Sequence, residues 1–228
     1  MKRAIMVCGH GPGISDAVAR KFGREGHPVA IVARNKERLS AAARSLGEAG
    51  IEARAFPCDL GNPEGVRELV VQVRDALGPI GILHWNAYGG GAGDLTTARI
   101  DELRSVLDVT VHGLVAAVQA TLPDLRAEKG AVLITGGGFA FYDPAIDTAA
   151  TQWGAMGIAI SKAAQHKAAG LLHQKLASDG VYVGEVVVLG VVKGTAFDTG
   201  NGTIEASAVA DRFWELYQKR AEASVNVS

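Results

Sequence analysis

Positions 7–15 read Val-Cys-Gly-His-Gly-Pro-Gly-Ile-Ser, VCGHGPGIS, and the fold follows from how this stretch is read. It closes an apolar run, AIMVC at 4–8, and opens a segment of helical period. Gly9, Gly11 and Gly13 permit a tight turn and let the backbone approach a ligand closely. In a strand–turn–helix setting such glycines cradle a pyrophosphate at the helix N-terminus, where free N–H groups and the macrodipole favour negative charge. His10, Ile14 and Ser15 share that loop. The expectation is a dinucleotide site built from Gly9, His10, Gly11, Gly13, Ile14 and Ser15.

Outward from this loop the same grammar repeats. Short apolar runs at 4–8, 28–33, 51–56, 81–85, 131–136 and 181–189 alternate with helical patterns at 13–24, 36–49, 63–77, 98–122, 151–179 and 204–219. Gly50, the pair Asn62-Pro63 and Gly180 punctuate the boundaries, and SVNVS at the end reads as a short edge strand. Repeated strand–helix alternation predicts an α/β fold: one doubly wound parallel sheet with helices on both faces, spanning 1–228 as a single domain. Right-handed crossovers place the loops after the strands along one edge, where ligands of such sheets bind.

Composition restricts the function classes. With 48% apolar and 21% charged residues the chain has a globular composition. A formal net charge of -1 gives no overall basic surface for nucleic acid. Met-Lys-Arg is followed by only five apolar residues before GHGPG, too few for a signal peptide, and no apolar run is expected to span a bilayer. Cys8 and Cys58 each end an apolar run, and two such thiols suit a reducing cytoplasm better than a disulfide framework.

The end of the second strand selects the dinucleotide. A carboxylate there would hold both ribose hydroxyls of NAD and repel a 2′-phosphate. The chain instead reads Ala33-Arg34-Asn35, followed by Lys36 and Arg38. Arg34 offers a bidentate fork to phosphate, so NADP is expected, with NAD as the alternative.

Taken in order, Gly9-x3-Gly13, ARNKERL at 33–39, CDL at 58–60, NA at 86–87, TLPDL at 121–125 and SKAA at 161–164 resemble the short-chain dehydrogenase/reductase family over nearly the whole chain. The resemblance implies that Asp59 and Leu60 flank the adenine and that Asn86 and Ala87 line the cofactor. It also places LGVVKGT at 189–195, with Gly190, Val192 and Thr195, beside the nicotinamide. Ser15, six residues after Gly9, matches the divergent branch of the family that includes enoyl reductases.

The resemblance gives Lys162 a role too. In the family this lysine hydrogen-bonds the nicotinamide ribose and lowers the pKa of a tyrosine four residues earlier. On its own helix face Lys162 has Ala155, Ile158, Ala159, His166 and Ala169 as neighbours. An ammonium there is costly to bury without acceptors, so a bound ribose is its expected partner.

The rest of the family's catalytic set is absent. Ile158 stands at the tyrosine position, Gly136 or Gly137 at the serine and Thr110 at the asparagine; the divergent tyrosine spacing falls on Ala155. Tyr142, on the loop after the fifth strand, is therefore taken as proton donor with Lys162. Tyr88, His112 and His166 are alternatives, and Thr151 or Gln152 could orient a carbonyl. Two functions remain in view. One is an NADP-dependent oxidoreductase acting on a small carbonyl, alcohol or activated alkene under a short lid. The other is a non-catalytic NADP(H)-binding sensor or scaffold. The apolar surplus of helices 98–122 and 151–179 predicts a homodimer or homotetramer built on that pair.

Overall fold

The computed structural model describes residues 2–228. Seven parallel strands form one sheet: β1 (Ala4–Cys8), β2 (Val29–Ala33), β3 (Ala53–Pro57), β4 (Ile80–Trp85), β5 (Ala131–Gly137), β6 (Tyr182–Val188) and β7 (Ser224–Val227), in the order β3-β2-β1-β4-β5-β6-β7. Every residue of β1 and β4 is buried, as central strands covered on both faces require. The expected edge strand at SVNVS is β7, paired to β6.

Side-chain alternation along the strands splits the core in two. Ile5 and Val7 face one layer, made by α1 (Ile14–Arg24), α2 (Lys36–Glu48) and α8 (Ala206–Lys219), through Phe22, Leu39, Leu46 and Phe213. Met6 and Cys8 face the other, made by α3 (Pro63–Leu77), α5 (Gly113–Ala127) and α7 (Met156–Leu176). Helix starts follow local chemistry. The Asn35 side chain accepts from the Arg38 N–H at 2.8 Å, and Asn62 caps α3 ahead of Pro63.

Three expectations need correction. The helix expected at 98–122 is α4 (Ile100–Leu107), a five-residue π turn at Asp108–His112, and then α5. The helix expected at 151–179 is two: α6 (Pro144–Gln152), capped by Asp143, and α7. The break falls at Trp153-Gly154-Ala155, where Gly154 has a φ of 59° and its carbonyl packs on Gly93. Nor is the chain without an apolar segment of spanning length. Ile100–Ala127 runs 28 residues, with a mean hydropathy of 1.4 over its best window. Its buried side, Val106, Leu114, Ala117 and Leu125, packs within the domain. That accounts for its apolar character.

The order of strands reverses direction between β1 and β4, because β2 and β3 extend one way and β4 to β7 the other. The loops leaving β1 and β4 therefore part at this point, which opens a crevice at the carboxyl edge. Phe213 is fully buried and meets the His84 ring edge-on at 4.8 Å, anchoring α8 beneath this junction. Phe213→Ala should destabilise the domain by about 3–5 kcal/mol, read from the urea unfolding midpoint.

Candidate functional site

The crevice at the switch point has a volume of about 290 Å³ and is walled by Gly9, His10, Arg34, Asp59, Leu60, Asn86, Ala87 and Tyr88, among others. The first seven are residues the sequence assigned to the dinucleotide. Gly9 has a φ of 82°, and a Cβ on it would lie 2.5 Å from the Ala87 nitrogen. No other residue fits that approach without displacing the loop after β4. Asn86 ties the two loops, its side-chain amide donating to the Gly9 carbonyl at 3.3 Å. A Cβ at Gly11 would meet nothing within 4 Å, so the loop's outer side is open to a ligand.

Ser15 is tied into the glycine loop itself. Its buried hydroxyl accepts from the Gly11 N–H at 2.9 Å and donates to the Gly11 carbonyl at 3.1 Å, so it shapes the loop. His10 folds inward to within 3.5 Å of Asp16, whose carboxyl is held below the usual range by that contact first and by Arg20 second. Ile14 starts α1 and packs on the core. Thr195 closes on the loop from the far side, its methyl 2.7 Å from where a Gly13 Cβ would be. Val192 is buried and bridges to Ile204, and Gly190 also packs on Ile204, so the short 189–204 segment is pinned to the sheet. Among the described residues no carboxylate pairs with Arg34, which is exposed on the crevice rim.

Lys162 is buried on α7, one turn past Ile158. Its Nζ donates to the Thr135 carbonyl at 2.8 Å and to Gln165 Oε1 at 2.8 Å. The expectation that only a ligand would satisfy this ammonium is thus corrected: β5 and α7 supply two acceptors. Burial pulls the ammonium down from 10.5 to about 8, opposed by the nearby Glu185 carboxylate. The Nζ lies 5.8 Å from the centre of the Tyr88 ring, which joins Lys162 to the crevice wall. Tyr88 is 38% exposed, stacks on Phe197 at 5.8 Å, and burial raises its phenol above the ordinary value.

Tyr142 is not brought into this assembly. It is 100% exposed, so no wall of the crevice fixes its hydroxyl. Asp143 caps α6, and the aromatic just before it points into water. The alternatives His112 and His166 are engaged by Asp108 at 2.8 Å and Glu185 at 2.5 Å. Thr151 and Gln152 are exposed at the end of α6. Sequence reasoning missed Gln165, Thr135 and Glu185. Gln165 carried a usable signal, since it stands three residues after Lys162 on the same helix face. Thr135 acts through its carbonyl, which no side-chain motif reveals.

Residues 3–203 match the sequence pattern of the short chain dehydrogenases. The chain belongs to this family. An uncharacterized oxidoreductase of Staphylococcus aureus (strain MW2) is 29% identical over 181 residues, covering 79% of this chain and 74% of that one. An uncharacterized oxidoreductase of Staphylococcus epidermidis is 26% identical over 231 residues, covering 100% of this chain and 95% of the relative. A metagenomic short-chain oxidoreductase solved in complex with NADP superposes with a TM-score of 0.79 at 25% identity, covering 99% and 95% of the two chains. A point variant of actinorhodin polyketide ketoreductase, solved with NADPH, shares the fold with a TM-score of 0.86 at 22% identity, covering 99% and 95%.

The depressed Lys162 value has a stability consequence. Between about pH 8 and 10.5 the unfolded chain binds this proton and the folded one does not, so stability from this group rises with pH across that window. Below about pH 8 both states carry the charge and the penalty is constant. In Lys162→Met this rise should disappear, as measured by urea unfolding from pH 7 to pH 10.

Proposed function

We propose that this short-chain dehydrogenase is an NADP(H)-dependent oxidoreductase acting on a small carbonyl, alcohol or activated alkene, with Tyr88 in place of Tyr142 as proton donor. The observation that carries the reading is the pairing of Tyr88, on the crevice wall, with the Lys162 ammonium 5.8 Å from its ring. Bound NADPH would supply the hydride. The residues fit that cofactor: the Gly9–Ala87 contact keeps the loop flat where the pyrophosphate belongs, and the open side of Gly11 leaves space for it. Arg34 supports a 2′-phosphate, and the absence of an acid at 33–35 supports NADP over NAD. The NADP of the metagenomic relative argues the same way.

Tyr88 holds its proton at neutral pH as any phenol does, and burial, which raises it further, leaves it a weaker acid that needs a nearby cation. The Lys162 cation then favours charge developing on the oxygen that loses the proton. Lys162 has three N–H donors and two are held by the protein, which leaves one for a ribose hydroxyl. Phe197, stacked on Tyr88 from the 189–204 segment, limits the ring's swing and covers the site as a small lid.

A second reading, a cofactor-binding sensor or scaffold, is favoured by Ile158 and by glycines at 136–138, which put no hydroxyl beside Lys162 on that side. Exposed Ile160 and Leu171 on α7 and Ile100 on α4 support self-association through these helices. The free thiols Cys8 and Cys58, both raised by burial, suit a reducing cytoplasm.

Substrate-dependent NADPH oxidation across a carbonyl panel separates the two readings. Tyr88→Phe should lower kcat by about 10²–10⁴-fold while NADPH affinity holds, as expected for loss of a general acid. Turnover should decline above about pH 8 as Lys162 loses its proton. Tight NADPH binding with no turnover of any panel member would leave the sensor reading. Arg34→Ala should raise the Kd for NADPH about tenfold or more with little change for NADH, as titrated by cofactor fluorescence.

A further inference from the structure

Gln165 is fully buried on α7, and both ends of its amide are used. Oε1 accepts from Lys162 at 2.8 Å and Nε2 donates to the Thr110 carbonyl at 3.2 Å. Thr110 lies in the π turn between α4 and α5, where the helical ladder is locally widened. Its hydroxyl accepts from the Gly89 N–H at 3.1 Å, one residue past Tyr88. One buried side chain therefore links the ammonium, the π turn and the loop that carries the crevice tyrosine.

The orientation of this amide is fixed by its partners. An ammonium can only donate and a carbonyl can only accept, so the Gln165 oxygen must face Lys162 and its nitrogen Thr110. Leucine would fill a similar volume but leave a buried N–H and a buried carbonyl unpaired. The other ionisable groups around Lys162 are Glu185 on β6, Tyr88 on the loop after β4 and His166 one turn along α7, the last paired to Glu185.

We propose that Gln165 is a positioning residue for Lys162: its amide clamps the ammonium against the π turn, in register with the Tyr88 loop, and leaves one N–H free for a ligand. The proposal rests on reading Lys162 as the cation of the site. It does not depend on which reaction, if any, is catalysed there.

The titration that tests it uses the full chain without cofactor or substrate. Lysine is labelled with carbon-13 at Cε, the Lys162 resonance is assigned by its loss in Lys162→Met, and its titration is followed by NMR. Removing a hydrogen bond to the charged form lowers a lysine's midpoint, and adding a nearby carboxylate raises it. Q165L should therefore move the Lys162 midpoint down by about one pH unit, and Q165E should move it up. Q165L should also weaken NADP⁺ binding about tenfold in a separate tryptophan-quenching titration, as loss of a charged hydrogen bond would.

An unchanged midpoint in both variants, or a shift in the same direction in both, overturns the proposal, because a merely structural amide has no reason to produce opposite signs. Should Q165L fail to fold, Q165E alone decides by whether its midpoint rises. A protein that shows the opposite shifts but oxidises no NADPH sinks the oxidoreductase reading and leaves Gln165 in place.

Discussion

The close approach of Gly9 to Ala87 is the constraint on which the site depends. Parallel β1 and β4 lie side by side, and the chain leaves them in opposite directions, so their exits must share one small volume. Only a residue without a Cβ, and with φ at 82°, lets the β1 exit pass the backbone of the β4 exit. The Asn86 amide then locks the two loops together. The residues that wall the crevice beside this contact are those leaving β1 and β4, Gly9 and His10 on one side and Asn86, Ala87 and Tyr88 on the other, while Arg34, Asp59 and Leu60 come from the ends of β2 and β3.

A second constraint is electrostatic. An ammonium taken out of water must find acceptors or lose its proton. Here the surroundings of Lys162 do both in part. Two neutral oxygens and the field of Glu185 keep the charge tolerable, while burial brings the midpoint to about 8. The π turn belongs to the same arrangement, since it presents the Thr110 carbonyl to Gln165 and the Thr110 hydroxyl to Gly89. Strand β5, helix α7 and the α4–α5 junction thus meet around one cation, which lies 5.8 Å from the centre of the Tyr88 ring.

Two more buried ionisable groups, His84 and Glu185, lie beneath the site. His84, in the centre of the sheet, touches Thr135 Oγ1 at 3.2 Å, and burial first and His10 second drive its imidazole down to about 3. It is neutral at any working pH and adds no competing positive charge near Lys162. His166 and Ser224 both meet Glu185 Oε2, Oε1 is buried without a hydrogen-bond partner, and no hydrogen bond joins Glu185 to Lys162, so its effect on Lys162 acts at a distance.

The sequence alone determined the parallel sheet, the alternation of strands with helices and the tight glycine loop after β1. Those features are written in local periodicity and in glycines whose placement has few physical alternatives, and strand limits follow the expectation to within two residues. It misjudged helix continuity at 98–122 and 151–179, because a π turn and a Gly154 break cost little in local propensity and are decided by packing against neighbouring loops. It favoured Tyr142 as the proton donor, and did not show that Tyr88 lines the crevice while Tyr142 stands in water. Both tyrosines follow a strand by a few residues, and nothing in their neighbours tells which ring turns inward. Only the tertiary structure settled that, by stacking Phe197 on Tyr88 and leaving Tyr142 in water. The acceptors of Lys162 were hidden for the same reason: one is a backbone carbonyl on a distant strand, and such a group has no sequence signature.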